Sequence, residues 1–347
     1  MSEHSNIEWT DTTWNPVLGC DKVSAGCKGC YAIRTAWRLQ HNPNPKVAKA
    51  FEGLAKIEGG KPNWTGRINF IPERLADPLG WSKPRKVFVN SQSDLFHDGV
   101  EDFQIDAVFA VMAQAHQHTF QVLTKRPERM LAYFKKLQAA ADEHAPKTVT
   151  GKFLPSDVLN IRNLARNPHS ANAFKADWPL PNVWLGVSCE NQATADERIP
   201  LLLQTPAAVR WVSAEPLLGE VILPRLSHNP DSTGLNWVVA GGESGPDARP
   251  MHPDWARSLR DQCKAAGVPF FFKQWGEWAH GSDWHKEQIC MYADERHCDF
   301  TQEAILEEEK RSGIEHRLRG GTVMSKLGKK AAGRKLDGVE HNEYPSF

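Results

Sequence analysis

The chain has 347 residues, 40% of them hydrophobic, enough to bury the core of one large α/β domain or two small ones. Lysine plus arginine equals aspartate plus glutamate at 42 each, which excludes a global field driving non-specific nucleic-acid binding and leaves only local patches for such contacts. No stretch approaches the roughly 20 apolar residues of a membrane span, the MSEHSNIEWTDTTW start has no basic and apolar leader pattern, and the cysteine usage is not that of a secreted disulfide framework, so a reducing, cytoplasmic setting without membrane contact is expected.

Short apolar, β-branched or aromatic runs alternate with segments of helical period, the pattern of parallel βαβ units. Trp14 to Leu18 reads as a first strand and Arg67 to Ile71 (RINFI) as another, followed by Val87–Val89, Phe120–Leu123, Val183–Val187, Val209–Val212, Trp237–Ala240 and Val268–Phe272. After Asp102, which can serve as an N-cap, Ile105, Val108, Phe109 and Met112 form a core-facing helical stripe. Pro127 begins a second helix carrying Met130, Phe134 and Leu137, and Pro253 a third carrying Trp255, Leu259 and Cys263.

The expected fold is therefore α/β, a (β/α) barrel, TIM-like or partial, closed if eight strands form. Residues 1–320 are read as one such domain, with insertions near 139–182 and 275–320 where prolines and mixed polarity break the rhythm. Residues 321–347 are read as a tail, basic through SKLGKKAAGRK and solvated.

Barrel chemistry sits on loops after the strands, and polar residues recur there. Ser91 and Asp94 follow the Val87–Val89 run, Thr124, Lys125 and Arg126 the next, Ser188 and Glu190 the next, and Ser213 and Glu215 the one after. Gly241, Gly242 and Glu243 follow Trp237–Ala240, and Lys273 ends the last run. Helix caps and ordinary loop polarity explain single cases; the collective pattern implies a polar pocket. The glycine pair allows close backbone approach to a ligand, and a tight turn would require glycine as well.

GCDKVSAGCKGCYA places Cys20, Cys27 and Cys30 in a C-x6-C-x2-C loop directly after the first strand. Three thiolates can hold three irons of a 4Fe-4S cluster and leave the fourth open for chemistry. Structural zinc is the rival, requiring a fourth ligand from far along the chain, and unliganded thiols are a third possibility. Cys189 and Cys263 lie in apolar runs and read as buried packing residues.

A three-cysteine loop after the first strand of a β/α barrel, with Tyr31 beside the last cysteine, resembles the radical S-adenosylmethionine superfamily. It departs from the usual pattern in the six-residue first spacing and in the late GGE. The chain is also similar to a phage- and prophage-borne three-cysteine-motif family of unknown function through TWNPVLGC, GCYA, VFVNSQSDLFH, FQVLTKRPER, WLGVSCENQ, WVSAEPLLG, VVAGGESGPDARPM and FFFKQWGEW, roughly residues 8 to 278.

The superfamily resemblance implies a 4Fe-4S cluster on Cys20, Cys27 and Cys30, S-adenosyl-L-methionine as cofactor and an external electron donor. Under it Lys125, Glu215 and Lys273 are the candidate catalytic groups. Ser91, Asp94, Thr124, Arg126, Ser188, Glu190, Ser213, Gly241, Gly242 and Glu243 are the candidate cofactor-binding residues. Lys125 or Arg126 would pair with the cofactor carboxylate, and Glu190, Glu215 or Glu243 with ribose hydroxyls or the ammonium.

The substrate expectation is a nucleic acid or nucleotide, modified or repaired, with tryptophans available for stacking. Trp184, Trp211 and Trp237 read as core, and Trp64, Trp275 and Trp278 as rim candidates, themselves more often packing residues. Two alternatives stand beside it: a non-catalytic zinc or iron–sulfur binding module for a protein or DNA partner, and a hydrolase with paired carboxylates, which leaves the cysteines unexplained.

Overall fold

The structure, a computed structural model, describes residues 5–144, 179–229, 233–280, 288–291, 294, 297–298 and 322–346. Seven strands share one sheet: β1 (Thr12–Trp14), β6 (Lys86–Val89), β7 (Thr119–Thr124), β8 (Val183–Ser188), β9 (Val209–Ala214), β10 (Trp237–Gly241) and β11 (Phe270–Gln274), in that order. The β1–β6, β6–β7, β7–β8 and β10–β11 pairs are parallel. Every residue of β8, β9 and β10 is buried, as expected of parallel strands covered on both faces. This agrees with the partial form of the expected β/α barrel.

The described residues supply seven of the eight expected strands. The Trp14–Leu18 run is divided by Pro16, which has a fixed φ and no N–H for a ladder. Only Thr12–Trp14 joins the sheet; β2 (Val17–Leu18) turns away and pairs antiparallel with β5 (Asn69–Phe70), so the Arg67–Ile71 run is spent there.

The chain divides into two compact units. The first comprises the described residues of Met1–Val187, Glu197–Trp211 and Asn229–Gly234, and the second those of Ser188–Asp196, Val212–His228 and Leu235–Phe347.

In the first unit, Trp9 packs edge-on against Trp211 with centroids 5.3 Å apart, and Gly186 of β8 is needed under that ring, because a Cβ would stand 2.5 Å from it. Helix α3 (Asp102–Gln114) buries Ile105, Val108, Phe109 and Met112 as expected, with a different cap: Glu101 and Gln104 form a capping box. Asp102 is left to pair with Arg129 and Lys136 of α4 (Pro127–His144).

Between β1 and β6 lies a small cap that the sequence reading did not separate. Helices α1 (Tyr31–Gln40) and α2 (Pro45–Phe51) and the hairpin of β3 (Ala55–Glu58) and β4 (Lys61–Trp64) close around Ile33, Ala36, Phe51, Leu54 and Trp64. Trp64 is thus core.

In the second unit, the helix Pro253–Ala266 buries Trp255, Leu259 and Cys263 and ends at left-handed Gly267. Trp275 and Trp278 are buried as well, their indole N–H groups donating to Lys335 O and Ala248 O, so neither forms a stacking rim. Trp278–His280, Gln288–Met291, His297–Cys298 and Thr322–Lys326 form a four-stranded sheet; apart from 275–277 and 294, the rest of the 275–320 insertion, and all of 139–182 except its two ends, lie outside the described residues.

The stretch read as a solvated tail packs along β11. Asn342 bridges Phe271 antiparallel, Phe272 N donates to His341 O at 2.9 Å, and Tyr344 stacks on Trp237. An edge strand is thereby covered by the chain's own end. Among the described residues no helix is long and apolar enough to cross a membrane.

Candidate functional site

The three cysteines are placed by the first unit alone. Gly19, with φ +96°, precedes Cys20, and a Cβ there would stand 2.1 Å from Arg67 O, so only glycine can deliver the chain at this angle. The loop after β6 fixes the other side: Gly19 N donates to Gln92 O, and Asn15 Oδ1 accepts from Ser91 Oγ and Gln92 N. Ser91 is therefore engaged in holding the loop, and its carbonyl also accepts the Tyr31 hydroxyl at 2.8 Å. Cys27 closes a short 3-10 turn, and Cys30 stands at the N-terminal end of α1.

Positive groups bear on two of the sulfurs. The Cys30 side chain makes no capping hydrogen bond at the start of α1, but the backbone of Ala32 and Ile33 and the charge of Lys125 oppose the rise of its thiol. The Arg126 guanidinium reaches Cys20 Sγ at 3.7 Å. Both thiols also pack against the apolar core of the cap. Burial pushes the Cys20 thiol up to about 12 with Asp94 adding to the rise, and burial raises Cys30 too, so without a compensating cation both are neutral thiols at pH 7. Cys20 senses the charge of Cys30, and Cys30 that of Cys27.

Behind the sulfurs, Asp94 organises the end of β7. Its Oδ1 accepts from Thr124 Oγ1 at 2.7 Å and its Oδ2 from Lys125 N at 2.9 Å and Arg126 Nη1 at 3.2 Å. Thr124 Oγ1 in turn accepts Arg126 N. Arg126 is also paired with Asp21, and His97 Nε2 stands 3.3 Å from the same Asp21 oxygen. Burial first, and then Arg126, hold the imidazole below its ordinary pKa. Asp21 and His97 do not directly follow a strand of the main sheet, and their shared contact joins positions 76 residues apart, so no local pattern announces them.

The remaining predicted residues belong to the second unit. Lys273 Nζ lies 2.9 Å from Glu215 Oε1, and Ser213 Oγ donates to Glu215 Oε2 at 3.1 Å. Gly241 makes room for this pair, since a Cβ would stand 3.0 Å from Glu215 Oε1. Gly242 is required by the backbone, where a Cβ would meet Trp275 O at 1.9 Å. Glu243 is held by Arg249 through Nη2 at 2.7 Å and Nε at 2.8 Å, a partner six residues along that the sequence reading passed over. Ser188 and Glu190 are buried; Glu190 N donates to Thr194 Oγ1 and its carbonyl accepts Leu218 N.

Among the described residues no group of three or more His, Cys, Asp or Glu side chains is gathered closely enough to hold one metal ion. A family model described as "Protein of unknown function (DUF5131)" matches residues 4–345. No curated protein and no solved structure matches the chain.

Proposed function

The chain belongs to the DUF5131 family, whose function is unknown, and from its own residues we propose a radical S-adenosylmethionine-like enzyme with a 4Fe-4S cluster on Cys20, Cys27 and Cys30 that acts on a nucleic acid or nucleotide. The observation that carries this reading is the setting of Cys20 and Cys30: half-buried thiols packed on the apolar core of the cap, one already receiving the Arg126 guanidinium and the other standing at the N-terminal end of α1. Thiolates in an apolar site need positive charge, and such donors stabilise sulfur ligands in the ionised form. In a cluster each thiolate binds its own iron, so the three sulfurs need not crowd around one ion.

Held by Cys20, Cys27 and Cys30, such a cluster would supply one-electron reduction of S-adenosylmethionine from an external donor, with C–S cleavage to methionine and a 5′-deoxyadenosyl radical. The protein's part is to hold and shield. Asp94 locks the Thr124–Arg126 segment so that Arg126 stays on Cys20, and Lys125 adds positive charge near Cys30, where an anionic carboxylate would be favoured. Lys273 and Glu215 keep their candidate roles as a paired cation and carboxylate in the second unit.

One observation favours the second reading, a non-catalytic zinc or iron–sulfur module. Asp94, Arg126, Glu215, Lys273 and Glu243 are already satisfied by partners within the protein. The deciding experiment is anaerobic reconstitution with iron and sulfide analysis, reduced-state electron paramagnetic resonance and a dithionite-driven 5′-deoxyadenosine assay, beside a Cys20→Ala, Cys27→Ala, Cys30→Ala variant. About four irons and 5′-deoxyadenosine only with intact cysteines support the enzyme; one zinc, or a cluster that never cleaves the cofactor, supports the module.

A further inference from the structure

We propose that the cap carrying the cysteine loop is a nucleic-acid binding surface that grips the phosphate backbone beside Cys30. The chain as a whole is neutral, yet from Cys20 to Phe70 nine lysines and arginines stand against three acids. All nine are exposed. The excess is set by the fold of the cap. On α1 the buried Ala32, Ile33 and Ala36 face the small core, which turns Arg34 and Arg38, one helical turn apart, to the opposite side. On α2 Ala50 and Phe51 are buried while Lys46 and Lys49 are outside. The hairpin buries the Ala55–Trp64 pair at its base and displays Lys56 and Lys61 toward a Gly59–Gly60 turn, where both residues have positive φ. Lys22 and Lys28 lie in the cysteine loop itself.

The distribution points to a polymer. The charges are spread over two helices, a hairpin and a loop, on long side chains at the surface, which suits a run of phosphates better than one compact anion. An aromatic face lies next to the cysteines as well: Tyr31 is 47% exposed while its hydroxyl is tied to Ser91 O, so the ring is presented at low entropic cost to an unstacked base. A base platform has no use in binding an acidic protein. Near the C-terminal end, Arg334 is bonded to Lys273 O and Lys326 is set over the Trp278 ring.

The inference deepens the enzyme reading by naming a polymeric nucleic acid as substrate, and the surface itself needs no cluster. The test is fluorescence anisotropy of the cluster-free full chain with a labelled DNA duplex, its single strands and the matching RNA, across a salt series. The variants are Arg34→Gln/Arg38→Gln/Lys49→Gln and, as control, Lys329→Gln/Lys330→Gln, each checked for an unchanged melting temperature. The expected result is salt-dependent binding that the cap variant weakens about tenfold or more, with a salt slope smaller by about two to three, while the control binds like the wild type. Tyr31→Leu is expected to weaken the single strands more than the duplex. Absence of binding, equal loss in both charge variants, an unchanged salt slope, or preference for poly-glutamate over the oligonucleotides overturns the proposal. Binding without cofactor cleavage in the reconstitution assay would leave the surface standing and remove the enzyme reading; cleavage without binding would do the reverse.

Discussion

Arg126 reaches the Cys20 sulfur at 3.7 Å while Asp94 holds the same guanidinium at 3.2 Å, so a buried carboxylate and a half-buried thiol share one cation. Removing that cation should be felt by both. Arg126→Gln is expected to destabilise the fold by about 3 kcal/mol or more, because Asp94 keeps its hydrogen bonds from Thr124 and Lys125 but loses the one from Arg126 and its counter-charge. It should also slow alkylation of Cys20, since the guanidinium is what opposes the rise of that thiol. Chemical denaturation and peptide-resolved iodoacetamide labelling of the metal-free protein measure the two effects; Arg126→Lys should recover part of the stability.

Gly19→Ala tests whether the approach to Cys20 depends on the backbone. The residue has φ +96° and its Cβ would stand 2.1 Å from Arg67 O, so the chain must shift by a sizeable fraction of a bond length. Strain of this kind costs roughly 1–3 kcal/mol. The expected outcome is a folded protein with a lowered melting temperature and reduced iron incorporation on reconstitution. Wild-type iron content in that variant would show that Cys20 is not positioned by Gly19.

The parts legible in the sequence were those with local causes. Trp237–Ala240 is apolar throughout and Val209–Val212 apolar but for Arg210, and both became buried strands, while the i, i+3, i+4 stripe from Ile105 to Met112 became a buried helix face. Pro16 was legible as well but unused, and it is what removes Val17–Leu18 from the main sheet. The cap was missed because its core residues, Ile33, Ala36, Phe51 and Trp64, are too few in each element to give a period. At the site, residues directly after strands were easy to name, whereas Asp21, His97 and Arg249 matter through partners distant along the chain or around a turn. The C-terminal segment looked solvated for its lysines; the contacts that bind it come from Leu336, His341, Asn342 and Tyr344.

Glu215 and Lys273 are both largely buried, with side-chain exposures of 12% and 19%, and Ser213 supplies one further hydrogen bond. Lys273→Met removes the cation 2.9 Å from this largely buried carboxylate, an expected cost of about 3 kcal/mol. Replacing both, Lys273→Met with Glu215→Gln, should recover a good part of it. A double-mutant cycle by denaturant unfolding measures the coupling; additive losses would mean that the pair is held apart in solution.

The covered edge of β11 gives a pH dependence at each end of the scale. Asp337 lies between Arg257 and Arg260, whose hydrogen bonds hold its carboxyl down at about 2, below the ordinary 3.8. A depressed carboxyl contributes stability above its unfolded pKa and loses it as pH falls through the folded one, so this contribution fades between about 4 and 2. At the other end, burial and then Glu343 push the Cys263 thiol up to about 12 from 9.0. A raised thiol binds its proton more tightly in the folded state, so stability is full below pH 9 and falls as pH rises toward about 12. Asp337→Asn should flatten the acid limb of the melting-temperature profile and speed proteolysis within residues 335–346, and Cys263→Ser should flatten the alkaline limb. Because Asp337 is more than a third exposed, its loss at neutral pH should amount to about 1 kcal/mol or less. An acid limb identical to the wild type would place the segment's anchorage in the Trp237–Tyr344 stack and the backbone bonds to Phe270 and Phe272 instead.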